Sequence, residues 1–216
     1  MANLEPLIQS IPVAPLKLAS LEGCRTLADQ VNNYLVSFRH ESPTNVGQAD
    51  SLQGYCADSY LLECECPRFG SGEGKGVLKE SVRGCDLFIM VDVTNYSLTY
   101  RVNGYENHMS PDNHYQDLKR IISAADGKAR RINVIMPFLY EGRQHKRSKR
   151  ESLDCALMLQ ELVDMGVSNI LTFDAHDPRV SNSIPLHGFD SFMPTYQFLK
   201  ALVNSVPDFV IDNDHL

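Results

Sequence analysis

Leu87-Phe88-Ile89-Met90-Val91-Asp92-Val93 decides the fold. The run is almost unbroken in its apolarity, which is how a strand buried on both faces reads; a strand with one wet face alternates instead. Ile132 to Phe138 and Asn169 to Phe173 are two more such runs. Between the first and second, Ser110-Pro111-Asp112 predicts a helix start, carried on by Tyr115, Leu118, Ile121, Ile122 and Ala125 and closed near Gly127. Between the second and third, Ser148-Lys149-Arg150-Glu151 has the S-x-x-E capping spacing. It predicts a helix behind it through Leu153, Ala156, Leu157, Gln160 and Val163, ending at Gly166. Buried strands alternating with helices mean right-handed βαβ units. The expected fold is α/β, a parallel sheet flanked by helices on both faces.

Outward from this centre the signal weakens. Upstream, Leu21, Cys24, Leu27, Ala28, Val31 and Leu35 recur at three and four and predict an amphipathic helix over Leu21 to Phe38. A Ser/Pro/Gly/Gln-rich loop over His40 to Gly54 and a short strand over Tyr60 to Cys64 follow. Downstream, a helix is expected from Pro194 to Val206 and a strand over Asp208-Phe209-Val210-Ile211-Asp212. The chain has no internal repeat.

Of 216 residues, 43% are hydrophobic and 22% charged, a globular composition compatible with a packed core. No apolar stretch approaches the ~20 residues of a membrane helix, and no basic-then-apolar leader opens the chain. With 20 Lys+Arg against 27 Asp+Glu the net charge is −7, which argues against a general nucleic-acid or anionic-membrane binder. The six cysteines do not read as a disulfide framework. Cys85 and Cys155 lie in apolar segments, and Cys64 and Cys66 form a C-x-C with no second pair to complete a zinc set. Free thiols imply a reducing compartment, and the expected location is cytoplasmic.

Ligands of an open parallel sheet bind outside the carboxyl ends of its strands, which selects two loops. The one after Phe138 holds Arg143, Lys146, Arg147, Lys149 and Arg150, five cations within eight positions. Guanidinium forks, with N–H groups of a following helix, suit a polyphosphate; a solvated charge run is the bland alternative. The loop after Phe173 offers Asp174 and His176, which suit a divalent cation held through water, or equally a capping Asp and a hydrogen-bonding His. A third segment, Arg68 to Gly76, is glycine-rich but lacks the G-x₄-G-K-[ST] register of a phosphate loop and reads equally as a tight hairpin.

In this order, the segments resemble the N-terminal domain of the ribose-phosphate pyrophosphokinase (phosphoribosyl pyrophosphate synthetase) family. Phe69-Gly70-Ser71-Gly72-Glu73 is similar to that family's F-S-D-G-E loop, and Glu80 to Asp86 to its E-S-V-R-G-K-D strand entry. Pro137 to Arg147 resembles P-Y-x-Y-A-R-Q-D-R-K, and Thr172-Phe173-Asp174-Ala175-His176 resembles T-V-D-L-H. The resemblance implies a type I phosphoribosyltransferase-like domain. It makes residues 1–67 an N-terminal helix and variable loop, 68–216 the core, and leaves a second, ribose 5-phosphate-binding domain outside the chain.

The implied activity transfers the β,γ-diphosphate of ATP to the anomeric hydroxyl of ribose 5-phosphate, with Mg²⁺ as cofactor. Arg143 and His176 would be catalytic. Arg143, Gln144, His145, Phe69, Ser71 and Glu73 would bind ATP, the last three reaching the adenine from a neighbouring subunit of a homo-oligomer. His176 and Asp174 would serve the metal. Neither nucleic acid nor membrane is an implied partner. Ser71 and His145 stand where the family has Asp, which weakens the expected adenine selection. No D-D-x-x-x-T-G follows Phe209 to Asp214, so the chain is expected to be inactive alone. The alternatives are a catalytically silent regulatory homologue that associates with active synthetases and, ranked last, an RNA-binding domain using the basic loop.

Overall fold

The computed structural model describes residues 12–41 and 54–206. In chain order the elements are β1 (Leu16–Ser20), α1 (Arg25–Glu41), β2 (Leu61–Leu62), β3 (Cys64–Glu65), β4 (Val77–Leu78) and β5 (Asp86–Met90). Then come β6 (Thr99–Val102), β7 (Tyr105–His108), α2 (Pro111–Ala125), β8 (Arg131–Ile135), α3 (Asp154–Asp164), β9 (Val167–Phe173), β10 (Gly188–Phe192) and α4 (Thr195–Ser205). Six strands form one sheet in the order β10-β9-β8-β5-β1-β2, parallel at every pairing. Two small antiparallel pairs, β3 with β4 and β6 with β7, stand beside it.

The central run is apolar throughout because successive residues serve opposite layers. Leu87 and Ile89 join Ala19 and Val134 in a core completed by Leu118 and Ile121 of α2 and Leu159 and Leu162 of α3. Phe88 and Met90 turn to the other face and pack with Leu18, Cys24 and Ala28, beneath α1. Helices therefore cover both faces, and the expected α/β architecture is the one found.

The apolar run from Leu87 to Val93 is strand only to Met90, the expected Tyr60–Cys64 strand is divided between β2 and β3 in different sheets, and β9 starts two residues early at Val167. Three other boundaries differ for a local reason. β8 stops at Ile135 instead of Phe138, because Pro137 has no N–H to offer a ladder. The first helix is split: Leu21 caps a 3₁₀ turn over Glu22–Cys24, and α1 then runs to Glu41. The Ser148–Glu151 pair does form, Ser148 Oγ donating to Glu151 Oε2 at 3.2 Å, but inside a loop. The helix expected directly behind it starts only at Asp154, with Leu153 as an N-cap that makes no side-chain bond. By contrast, Ser110 caps α2 as expected, accepting from the Asn113 N–H. Most of the His40 to Gly54 loop and the Asp208 to Asp212 strand lie outside the described residues.

All six cysteines are free thiols, and among the described residues no His/Cys/Asp/Glu group could hold a metal ion by itself. No described helix is long and apolar enough to cross a membrane. Burial pushes the thiols of Cys24, Cys64 and Cys155 up from 9.0 to about 11, and that of Cys66 to about 12. Thiolate is the reactive form, so at pH 7.5 a maleimide is expected to label exposed Cys56 first and these four last. Peptide mapping during a labelling time course checks it. Because burial raises these thiols, their contribution to stability is intact below about pH 9 and is lost as pH rises through about 11.

Candidate active site

The loops leaving the carboxyl ends of β8 and β9 meet in a cleft of about 310 Å³. Phe138, Leu139, Gly142 and Arg143 line one wall, and Phe173, Asp174, Ala175 and His176 the other. Two tight turns shape the first wall: Gly142 N–H donates to the Leu139 carbonyl at 3.0 Å and Gln144 N–H to the Glu141 carbonyl at 2.8 Å. Tyr140 anchors this loop to α2. Its ring stacks on Tyr115 at 4.6 Å, and its hydroxyl donates to Asp112 Oδ1 at 2.5 Å. Burial and the Asp112 carboxylate hold the Tyr140 hydroxyl above its ordinary range, so it stays a donor.

The second wall hangs on the edge strand. Asp174 N–H donates to the Phe192 carbonyl at 3.0 Å, and Ala175 N–H to the Ser191 hydroxyl at 2.9 Å. Glu141 (φ 54°) and Asp174 (φ 44°), one on each side of the cleft, occupy the left-handed region that disfavours a Cβ. Such strain persists only where surrounding contacts over-determine the backbone.

Arg143, Asp174 and His176 thus converge, all three exposed at one opening. His145 stands behind the wall. Its ring lies 5.0 Å from that of His176, with Nδ1 3.0 Å from the Arg143 carbonyl and Nε2 3.5 Å from Asp177 Oδ2. The histidine therefore links the two loops. Gln144 likewise turns inward: Nε2 donates to the Ser152 carbonyl at 2.7 Å and closes the basic loop.

Asp177 and Arg179 were not singled out by the sequence reading. Arg179 grips the Asp177 carboxylate with Nε at 2.9 Å and Nη2 at 2.6 Å, and its hydrogen bonds hold that carboxyl well below the usual range. An Asp just before Pro178 is an N-cap signature, and Asp177 does cap the 3₁₀ turn Pro178–Ser183. That signal was present in the sequence.

Among the described residues, none of Arg143, Lys146, Arg147, Lys149 and Arg150 has an ion-pair partner. The loop that leaves the cleft wall at Arg143 therefore concentrates positive charge in an acidic protein. The start of α3 contributes less than expected, since Cys155 N–H already points at the Gln144 carbonyl, 3.4 Å away, and Asp154 adds a negative charge in the first turn.

Phe69, Ser71 and Glu73 do not line the cleft. They form a rigid hairpin turn. Phe69 N–H donates to the Glu73 carbonyl at 2.7 Å, Gly72 N–H to the Phe69 carbonyl at 2.8 Å, and Ser71 Oγ to Glu73 Oε2 at 2.8 Å. Gly72 has φ 91° and lies against Val102, so a side chain there is excluded twice over. Phe69 is left 54% exposed.

A family model described as the N-terminal domain of ribose phosphate pyrophosphokinase matches residues 16–166. The ribose-phosphate pyrophosphokinase of Corynebacterium ammoniagenes is 29% identical over 167 residues, 76% of this chain and 41% of that protein. That of Bacillus caldolyticus is 30% identical over 122 residues, 56% of this chain and 34% of that protein. The crystal structure of phosphoribosylpyrophosphate synthetase from Mycobacterium smegmatis superposes with a TM-score of 0.66 at 21% identity, covering 88% of this chain and 52% of that one. This likeness establishes the fold. The chain spans about two fifths of the Corynebacterium relative's length.

Proposed function

The chain belongs to the family of the N-terminal domain of ribose phosphate pyrophosphokinase, and from that premise we propose that it supplies the ATP-binding half of a ribose-phosphate diphosphokinase. The observation that carries this reading is the convergence of Arg143 and His176 on one cleft, with Arg143 opening a loop whose cations have no ion-pair partner among the described residues. In the reaction, the anomeric hydroxyl oxygen of ribose 5-phosphate bonds to the β-phosphorus of ATP. The bond from that phosphorus to the α,β-bridging oxygen breaks, AMP leaves, and the hydroxyl proton is released. Little covalent work falls to the protein, so its contribution is positioning and charge neutralisation. Arg143 offers a fork to the phosphate oxygens, and Lys146, Arg147, Lys149 and Arg150 draw the triphosphate toward it.

Mg²⁺ fits this donor set in one way. With no self-sufficient ligand cluster among the described residues, Asp174 and His176 suit an ion held mainly by water and ATP oxygens. Bound there, the ion would neutralise phosphate charge. The Phe69–Glu73 turn, rigid and outside the cleft, suits delivery of an aromatic ring to the adenine of a neighbouring subunit, hence a homo-oligomer. The full reaction is proposed for a protein of the relatives' length, of which this chain spans about two fifths.

Arg143→Ala is expected to weaken ATP binding by about 1.5–3 kcal/mol, the worth of a hydrogen bond to a charged group. Calorimetric titration of the chain with Mg–ATP measures it, and an unchanged affinity would make the loop a solvated face. His176→Ala is expected to weaken nucleotide binding in Mg²⁺ but not in EDTA. Equal loss in both would remove its link to the metal.

A further inference from the structure

A second cavity, about 490 Å³, is larger than the cleft and shares no lining residue with it. It lies at the carboxyl ends of β1 and β5. These are adjacent strands whose connections leave in opposite directions: β1 leads through α1 to β2, and β5 leads through α2 to β8 on the other side. That divergence is the topological switch point of the sheet, the place where open parallel sheets most often bind ligands. The Arg143 cleft, between β8 and β9, is not at it.

Hydrogen bonds within the protein tie the walls to one another. Leu21 N–H donates to the Met90 carbonyl at 3.0 Å, and Asn95 Nδ2 to the Gly23 carbonyl at 3.3 Å. The ring Nε2 of buried His114 lies 2.6 Å from the Asn95 carbonyl. Together these bonds fix the segment after β1 to the one after β5, and Thr99, Tyr100 and Arg101 of β6 line the cavity as well. The volume falls within the usual ~300–1,000 Å³ of small-molecule sites.

Its charges are of two kinds. Arg68 is committed to Asp117 at 2.7 Å and lies over the Tyr100 ring, while Glu65 is paired with Lys79 at 2.6 Å. Arg25, Arg101 and Glu22 also line the cavity and have no ion-pair partner among the described residues. Two unpaired guanidinium groups match the two charges of a phosphate monoester, and a lone carboxylate accepts from hydroxyls. We propose that this cavity binds the phosphate monoester of a hydroxyl-bearing body, a sugar phosphate or a mononucleotide, independently of the Arg143 cleft.

The test titrates the ¹⁵N-labelled chain separately with glucose 6-phosphate and AMP and follows amide shifts. Saturable shifts are expected at Gly23, Arg25, Tyr100 and Arg101. Affinity read from these four amides should fall at least tenfold in both Arg25→Ala and Arg101→Ala, and glucose 6-phosphate affinity read there should hold in Arg143→Ala. A variant whose spectrum loses its dispersion is replaced by the Lys substitution, which keeps the charge but not the fork and should still bind more weakly than the parent. Shifts confined to residues 138–145 and 174–179, equal affinity in the Arg25 and Arg101 variants, or no saturable shift with either probe would each overturn the proposal.

Discussion

Asp117→Ala is expected to be among the most damaging single changes in the chain, lowering stability by about 3–5 kcal/mol. The carboxylate is almost fully withdrawn from water, with its side chain 6% exposed. It accepts from Arg68 Nη1 at 2.7 Å and Nη2 at 2.8 Å, and from Arg120 Nη1 at 2.6 Å. Truncation leaves two guanidinium groups facing each other, and that uncompensated charge, rather than the lost attraction, sets the size of the effect. For a domain of this length the Tm should fall by roughly 6–20 °C in a calorimetric scan. Arg68→Met combined with Asp117→Leu, which removes both ends of the main pair, should restore much of the loss. A shift under 2 °C for Asp117→Ala would mean that both arginines swing out to water. Because Arg68 immediately precedes Phe69, the variant also reports on the turn proposed to meet adenine.

Leu159→Ala should cost about 2–5 kcal/mol, the range for a buried leucine whose cavity only partly collapses. Leu159 is 0% exposed and sits in the core where α3 meets the sheet. The expected fall in Tm is again several degrees, with a larger effect on cleft geometry than on α1, because β8 and β9 carry the two loops that α3 braces. Leu157, two residues away on the same helix, is 57% exposed. Leu157→Ala should therefore stay within about 0.5 kcal/mol of the parent. Similar losses in the two variants, measured by denaturant unfolding, would disprove the assigned face of α3.

The architecture was legible wherever a strand is covered on both faces. The run from Leu87 reads as a central strand, although the strand ends at Met90 and not at Val93, and the N-cap and apolar spacing of α2 were as readable. β1 was missed although it pairs with β5 over its whole length, from Leu16 with Asp86 to Ser20 with Met90. Its five residues include Lys17 and Ser20. Lys17 carries its ammonium out to Glu80, 3.0 Å away, so a polar letter in the sequence hides a chain segment that is structurally interior. β10 was missed because an edge strand has little apolar demand, and Gly188-Phe189-Asp190-Ser191-Phe192 shows little.

The strand-end rule depends on topology alone, and the structure brings Arg143, Asp174 and His176 together in one cleft at those strand ends. The inward turns of Gln144 and His145 depend on loop backbone that no residue pattern encodes. The same holds for the second cavity. The switch point is a property of strand order, and it was out of reach while β1, one of its two strands, went unrecognised.

One element behaves differently from the rest. α4 has no buried residue, and Tyr196, Phe198, Leu199, Leu202 and Val203 are all exposed. Eleven residues fall short of the ~12–15 at which an isolated helix becomes even marginal in water, because a costly nucleus is spread over few bonds. Nothing in α4's own sequence offsets that nucleation term, so its helix–coil equilibrium is set by its surroundings. The segment is in effect a thermodynamic gauge: its amide exchange slows as the fraction of molecules in which its apolar face is out of water rises.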